Sequence, residues 1–185
     1  MVFVREFKNA VDAETCNSII KTFNSQLELG CSIKRHDTIR RDTQQQFNSI
    51  DESNFRNSDL ASDFFKVIQK CVDEYLKDLG LDKVLTDGVW FKDMLVQRSE
   101  ADKFESYSTW HCEVSHKDYS DRAFAYILYL NDDFEGGETQ FMYQKHNQIP
   151  LKGSVVLFPA GFTHVHRGNM VTKGTKYIVT GWCFY

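Results

Sequence analysis

The second half of the chain is a series of short segments with the periodicity of β-strands, and this feature constrains the possible fold more than any other. β-Forming residues alternate or cluster in segments that predict strands at 89–98, 104–111, 122–131, 138–143, 154–159 and 176–184. Turn-forming pairs such as Asp132-Asp133, Gly136-Gly137 and Lys152-Gly153 stand between them. Many short strands in close succession indicate a β-sandwich or a barrel.

The first half of the chain predicts two helices. Asp12 is a favourable N-cap for a helix that runs to about residue 29, and Cys16 and Ile19 begin its apolar face at helical spacing. A second helix with a broad apolar stripe is predicted at 58–79. Helices followed by strands are typical of an α+β fold in which the helices support a sheet.

Residues 31–57 differ from both halves because they contain few apolar side chains. Lys34, Arg35, Arg40 and Arg41 make the region basic. We predict a strand-and-loop region with real mobility. It is either a solvated surface excursion or a substrate-contacting lid that favours an acidic partner.

The size and charge of the chain limit its class. A length of 185 residues predicts a single domain over 1–185, with helical support and a mobile loop in 1–83 and the barrel with its active site in 84–185. The net charge of -4 disfavours nucleic acid as a partner. The absence of a long apolar run or a signal-peptide pattern, with five scattered cysteines, leads us to expect a cytoplasmic protein with reduced thiols and no membrane segment.

Two short motifs supply candidate metal ligands. His111 and Glu113 are two residues apart, so on a strand their side chains would share a face. His164 and His166 form a second such pair far along the chain, and either could be the third ligand. Two imidazoles and one carboxylate are the ligand set of non-haem Fe(II) oxygenases, which leaves coordination positions open for substrates.

The order of several further motifs carries a family resemblance. Over residues 111–185 the chain resembles the iron- and 2-oxoglutarate-dependent dioxygenases of the prolyl hydroxylase group. The matching segments are Trp110-His111-Cys112-Glu113, Tyr129 to Phe141 with its double glycine, Pro150 to Pro159, His166, Gly174-Thr175-Lys176-Tyr177 and Thr180-Gly181-Trp182.

The resemblance implies a fold, cofactors and a reaction. The fold is an α+β double-stranded β-helix, a jelly-roll or cupin-like core, with N-terminal supporting helices. The cofactors are Fe(II), 2-oxoglutarate and dioxygen, and the resemblance allows a role for ascorbate. The reaction is hydroxylation of a C–H bond in a peptide or small-molecule substrate, with release of succinate and carbon dioxide, and peptidyl proline is the leading candidate.

The resemblance also assigns roles to residues. His111, Glu113 and His166 are the implied metal ligands, although the family usually has Asp where this chain has Glu113. The implied cosubstrate contacts are Lys176, which pairs with the distal carboxylate of 2-oxoglutarate, Tyr129 and Thr180. Candidates for contacting the substrate are His164, Arg167 and Arg122. Two alternatives stay open, namely a cupin-like metal enzyme that does not use 2-oxoglutarate and a non-catalytic barrel that acts as a binding module.

Overall fold

A computed structural model describes residues 3–30, 33–36, 41–48, 59–91 and 93–185. The helices of this described chain are α1 (Ala13–Glu28) and α2 (Asp59–Asp78), and its strands are β1 (Arg5–Phe7), β2 (Ile33–His36), β3 (Arg41–Asn48), β4 (Asp93–Glu100), β5 (Arg122–Tyr129), β6 (Glu135–Gly136), β7 (Thr139–Phe141), β8 (His146–Gln148), β9 (Val155–Pro159), β10 (His166–Gly168), β11 (Val171–Lys173) and β12 (Thr175–Phe184).

Seven strands form one large sheet. Their order is β1-β9-β5-β12-β4-β3-β2, and each neighbouring pair is antiparallel. A three-stranded sheet, β10-β7-β8, and a two-stranded sheet, β11-β6, complete the fold. Strands β5 and β12 lie near the centre of the large sheet, so side chains on them face protein on both sides.

The two helices cover one face of the large sheet. Asp12 caps α1, because its carboxylate accepts a hydrogen bond of 2.8 Å from the backbone N–H of Thr15. Ile19 of α1 and Ile68 of α2 are fully buried in the same cluster as Leu128 of β5. These contacts confirm the predicted supporting helices. No helix in the described part of the chain is long and apolar enough to cross a membrane.

The smaller sheets cover the opposite face. Strand β5 is buried along almost its whole length, and its alternate residues Ala125, Ile127 and Tyr129 belong to a second cluster. That cluster also contains Phe141 of β7 and Phe158 of β9. Because successive side chains of a strand point to opposite faces, β5 holds both layers together. Helices on one face and small sheets on the other confirm the predicted α+β fold with a double-stranded β-helix core.

The segment at 104–111 is irregular, whereas the sequence predicts a strand there. Phe104 closes a 3-10 turn at Ala101–Lys103 and has a φ of 54°, which takes the chain out of the extended conformation. After this turn, Ser106 and His111 each make a single β-bridge to another segment. The irregular path allows the chain to approach the small sheet at His111.

The basic region 31–57 is described in part. Its described residues form a hairpin of β2 and β3, and β3 pairs with β4 from Thr43 opposite Arg98 to Asn48 opposite Asp93. This part is therefore an edge of the large sheet. Residues 31–32, 37–40 and 49–57 lie outside the described residues, so the mobility and the lid role stay predictions.

Candidate active site

A backbone pairing brings the two histidines of the proposed site together. His111 donates its N–H to the carbonyl of His166 at 3.0 Å, and His166 donates to the carbonyl of His111 at 2.8 Å. Residues paired in this way present their side chains on the same face. The N–H of Glu113 is held by the carbonyl of Ala160 at 3.0 Å, which brings its carboxylate to that face as well.

The three side chains converge on one point. One oxygen of Glu113, Oε1, lies 3.2 Å from Nε2 of His166 and 3.7 Å from Nε2 of His111. A ligand atom from each of the three residues lies within 4.8 Å of the others. The sequence predicts His111, Glu113 and His166 as metal ligands, and the fold brings all three together.

Hydrogen bonds to the backbone orient both imidazole rings. Nδ1 of His111 lies 2.8 Å from the carbonyl of Thr109, and Nδ1 of His166 lies 2.9 Å from the carbonyl of His164. A carbonyl only accepts, so each Nδ1 carries a hydrogen and each Nε2 faces the centre, where it can bind a cation in its deprotonated form. Metal-binding histidines are held in this way, and the donor set of two Nε2 atoms and one carboxylate oxygen fits Fe(II).

The carboxylate of Glu113 is ionised at neutral pH. Burial raises its pKa, but the hydrogen bond and the charge of His166, the charge of His111 and the hydrogen bond from Trp182 together outweigh burial and bring the pKa to about 2. A charged carboxylate between two imidazoles attracts a divalent cation.

A cavity of about 270 Å³ opens beside these residues, and Lys176 lines its wall. The lysine is 7% exposed, and its ammonium donates a hydrogen bond to the carbonyl of Gly137. Burial lowers the pKa of Lys176 to about 8, although Glu138 acts in the opposite direction. Gly137 is required at this position, since a Cβ there would lie 3.0 Å from Cδ of Lys176 and 2.9 Å from Phe134.

The other two cosubstrate candidates lie close to this lysine. Thr180 lines the cavity and donates a hydrogen bond of 3.3 Å to Gln97. Tyr129 is fully buried behind the cavity wall, with its ring centroid 5.6 Å from Nζ of Lys176. Its hydroxyl lies 2.8 Å from Oγ1 of Thr139, and Thr139 does line the cavity. Their roles toward 2-oxoglutarate stay predictions.

The three substrate candidates have different positions. Arg122 lines the cavity. His164 is buried outside the lining, where burial lowers its pKa and Nδ1 lies 2.9 Å from the hydroxyl of Thr163. Arg167 also lies outside the lining, with its guanidinium 4.4 Å from the ring of Trp110. The geometry thus favours Arg122 among the three.

Several contacts within the site have no signal in the sequence. The indole of Trp182 donates a hydrogen bond of 2.7 Å to Oε2 of Glu113, and the ring of Tyr107 stacks on His111 at 3.9 Å. Asp42 and Gln97 line the cavity and share a hydrogen bond of 3.1 Å. The even spacing of Trp182 from Lys176 does place both on one strand face, but it says nothing about the contact with Glu113.

Two histidines and one carboxylate are the metal ligands of non-haem Fe(II) oxygenases. Here they lie in a double-stranded β-helix, beside the buried ammonium of Lys176. Residues 96–184 match the sequence model of the 2OG-Fe(II) oxygenase superfamily. The match lies in the C-terminal half of the chain, which is therefore similar in sequence to this superfamily. The superfamily's cofactor and cosubstrates are Fe(II), 2-oxoglutarate and dioxygen, and His111, Glu113 and His166 are the residues that would hold the iron.

Curated relatives resemble the chain in sequence, and solved structures resemble it in fold. The chain is 36% identical over 76 residues to 2-oxoglutarate and iron-dependent oxygenase domain-containing protein 3 of Rattus norvegicus, a match covering 38% of the chain. The match spans about a quarter, 24%, of that relative's length. The fold resembles a Pseudomonas putida prolyl-4-hydroxylase with a TM-score of 0.74, at 18% identity, covering 98% of this chain and 91% of that one. It also resembles a Trichoplax adhaerens prolyl hydroxylase solved with a peptide fragment of the hypoxia inducible factor, with a TM-score of 0.73, at 15% identity, covering 98% and 83%.

Proposed function

We propose that this chain hydroxylates a C–H bond of a peptide with Fe(II) as cofactor and 2-oxoglutarate and dioxygen as cosubstrates, releasing succinate and carbon dioxide. The observation that carries the proposal is the convergence of His111, Glu113 and His166 beside a cavity with Lys176 in its wall. When bound, the iron with 2-oxoglutarate and dioxygen supplies the oxidising power for the C–H bond.

The chain's own residues bind and orient the reactants. Nε2 of His111, Nε2 of His166 and Oε1 of Glu113 face one another and would hold the cation. Lys176 pairs with the distal carboxylate of 2-oxoglutarate, because a buried ammonium binds a carboxylate far more strongly than a solvated one does. Thr180 adds a hydroxyl in the same cavity. The buried walls keep stray water from the reacting atoms.

We propose peptidyl proline as the first substrate to test. Two of the solved proteins with this fold are named prolyl hydroxylases, and one of them was solved with a peptide. The rings of Tyr107, Tyr119 and Trp182 line the cavity, and flat aromatic rings pack well on proline. A small-molecule substrate is the alternative, and the net charge of -4 disfavours nucleic acid.

A succinate-release screen tests this function. Proline-containing peptides, free amino acids and nucleotides are each incubated with the protein, Fe(II) and 2-oxoglutarate. We expect succinate above background with proline-containing peptides, and a hydroxylated proline in the product by mass spectrometry. His166→Ala should abolish the signal because it removes one of three metal ligands. His146→Ala is the matched control, since His146 is outside the cavity lining and contacts Gln148 instead.

Each other outcome contradicts part of the proposal. If free amino acids or nucleotides stimulate succinate release and no peptide does, the substrate is not a peptide. Turnover of a substrate with metal but without 2-oxoglutarate would favour a cupin-like enzyme. Failure of the protein to bind either Fe(II) or 2-oxoglutarate would favour a binding module without catalysis.

A further inference from the structure

The two oxygens of the Glu113 carboxylate have different neighbours. Oε1 faces Nε2 of both His111 and His166. Oε2 faces the opposite way, where the indole Nε1–H of Trp182 donates to it at 2.7 Å. Nη1 of Arg122 lies 3.6 Å from the same Oε2. One oxygen therefore faces the two histidines, and the other accepts a hydrogen bond from the indole.

The indole that holds Oε2 is itself fixed in place. Trp182 is on β12, where it pairs with Ala125 of β5 near the centre of the large sheet. The guanidinium of Arg122 lies 3.8 Å from its ring and 4.2 Å from the ring of Tyr119. Nη1 of Arg122 also donates to the backbone carbonyl of Glu113 at 3.1 Å. The three stacked groups form a support that cannot turn without breaking several contacts.

We infer that Trp182 is the positioning residue of the candidate metal centre, because its indole holds Oε2 of Glu113 and so makes the carboxylate a ligand through Oε1 alone. This inference rests on the proposed function, since it takes the three residues as metal ligands. The indole is neutral, so its hydrogen bond holds the oxygen without adding a second positive charge to that of Arg122, which lies 3.6 Å from the same oxygen. A carboxylate that binds through one oxygen leaves more positions at the metal for the cosubstrates.

The arrangement also gives a reason for glutamate at position 113. The resemblance leads us to expect aspartate there. Aspartate is shorter by one methylene, about 1.5 Å, so from this backbone position its carboxylate would not reach both the histidines and the indole. Glu113 spans from the two imidazoles to Trp182 in the structure. The longer side chain and the indole therefore function as a pair.

Metal binding by Trp182→Phe tests the inference without relying on turnover. The phenyl ring keeps the stack under Arg122 but has no N–H donor. Titration with Co(II), a redox-stable probe, measures affinity, and its visible absorption reports the coordination. We expect Co(II) affinity to fall by about 10- to 100-fold, as is typical when an outer partner of a ligand is removed, together with an altered absorption spectrum. Trp90→Phe is the matched control, since its indole donates to the carbonyl of Tyr185 instead.

A double-mutant cycle separates positioning from a general loss of structure. In a Glu113→Asp background, where the shorter carboxylate cannot contact both the histidines and the indole, Trp182→Phe should have less than about a threefold further effect. Circular dichroism shows whether each variant is folded. If Trp182→Phe is folded and binds Co(II) with unchanged affinity and spectrum, or if the two effects simply multiply, the positioning role is overturned. If His166→Ala also leaves Co(II) binding unchanged, the three residues are not the metal ligands. That result would contradict the proposed function, and not only the role of Trp182.

Discussion

Lys176 is an ionisable residue in a place where little water can reach its ammonium. It is 7% exposed, and burial brings its pKa to about 8. At neutral pH the side chain is still cationic, so the folded protein keeps a buried charge whose proposed role is to bind a dicarboxylate. A site of this kind is expected to cost stability in the free protein.

Replacing this charge should therefore stabilise the protein. Lys176→Met keeps an unbranched side chain of similar length, and we expect the free energy of unfolding at neutral pH to rise by about 1 to 3 kcal/mol. The same variant should lose binding of 2-oxoglutarate. Urea denaturation and titration with 2-oxoglutarate measure the two effects. Lys173→Met is the control, since that side chain is 75% exposed, and we expect a change within about 0.5 kcal/mol.

The pH dependence of this effect has a definite sign. An unfolded lysine keeps its proton to about pH 10.4, whereas folded Lys176 keeps it only to about 8. Between these values the unfolded state binds more protons, so the stability contributed by this site rises with pH. The cost is fully present below about 8 and is lost as pH rises toward 10.4. Identical pH profiles for the wild type and Lys176→Met across this window would contradict a burial cost.

At the scale of elements, β12 carries much of the site on one face. Lys176, Thr180 and Trp182 are at even spacing and all line the cavity. Gly181 lies between two of them and packs close to Tyr126 of β5, which is fully buried. The close approach of β12 and β5 therefore depends on the absence of a side chain at position 181.

A methyl group at this position should destabilise the sheet. The Cβ of Gly181→Ala would overlap the hydroxyl of Tyr126, whose ring cannot move in a filled core. We expect a loss of about 1 to 3 kcal/mol in the free energy of unfolding, seen as a lower urea midpoint. Gly161→Ala is the matched control, because a Cβ there meets nothing within 4 Å. A midpoint for Gly181→Ala equal to that of Gly161→Ala would show that the two strands separate easily.

At the scale of the whole molecule, the N-terminal part is built into the same fold as the site. Strand β1 pairs with β9, and β3 pairs with β4, so the large sheet takes strands from both halves of the chain. Phe23 and Phe64, from the two helices, are fully buried in one cluster with Leu157 of β9. The single domain over 1–185 that the sequence predicts stays a prediction, which a deletion can test.

Removal of residues 1–83 should prevent folding. The fragment 84–185 would expose an edge of β9, an edge of β4 and the apolar face that the helices cover. We expect it to be insoluble, or to lack a cooperative urea transition, whereas the full chain should unfold in a single transition. Cooperative unfolding of the isolated fragment, with retained Co(II) binding, would show that 84–185 is a domain by itself.

The positions of most helices and strands follow from the sequence because they depend on local periodicity. Apolar residues at helical spacing predict α1 and α2, and alternating residues predict β5, β9 and β12 within a few positions. The strand predicted at 104–111 is wrong because the left-handed conformation of Phe104 has no periodic signal. Polar residues fill β3, so the sequence predicts loop for part of 31–57, yet pairing with β4 places β3 in the sheet.

The sequence by itself determined the ligand types, since His111 and Glu113 are close along the chain and His166 follows in a recognisable order. Only the tertiary structure decided which atoms meet. Trp182 and Glu113 are 69 positions apart, and their hydrogen bond exists because β12 and the segment after His111 reach the same cavity. Periodicity reports which face of an element is buried, and this is a short-range property. One carboxylate oxygen of Glu113 faces the histidines and the other faces the indole of Trp182. Packing between distant elements sets this orientation, and no local sequence pattern encodes it.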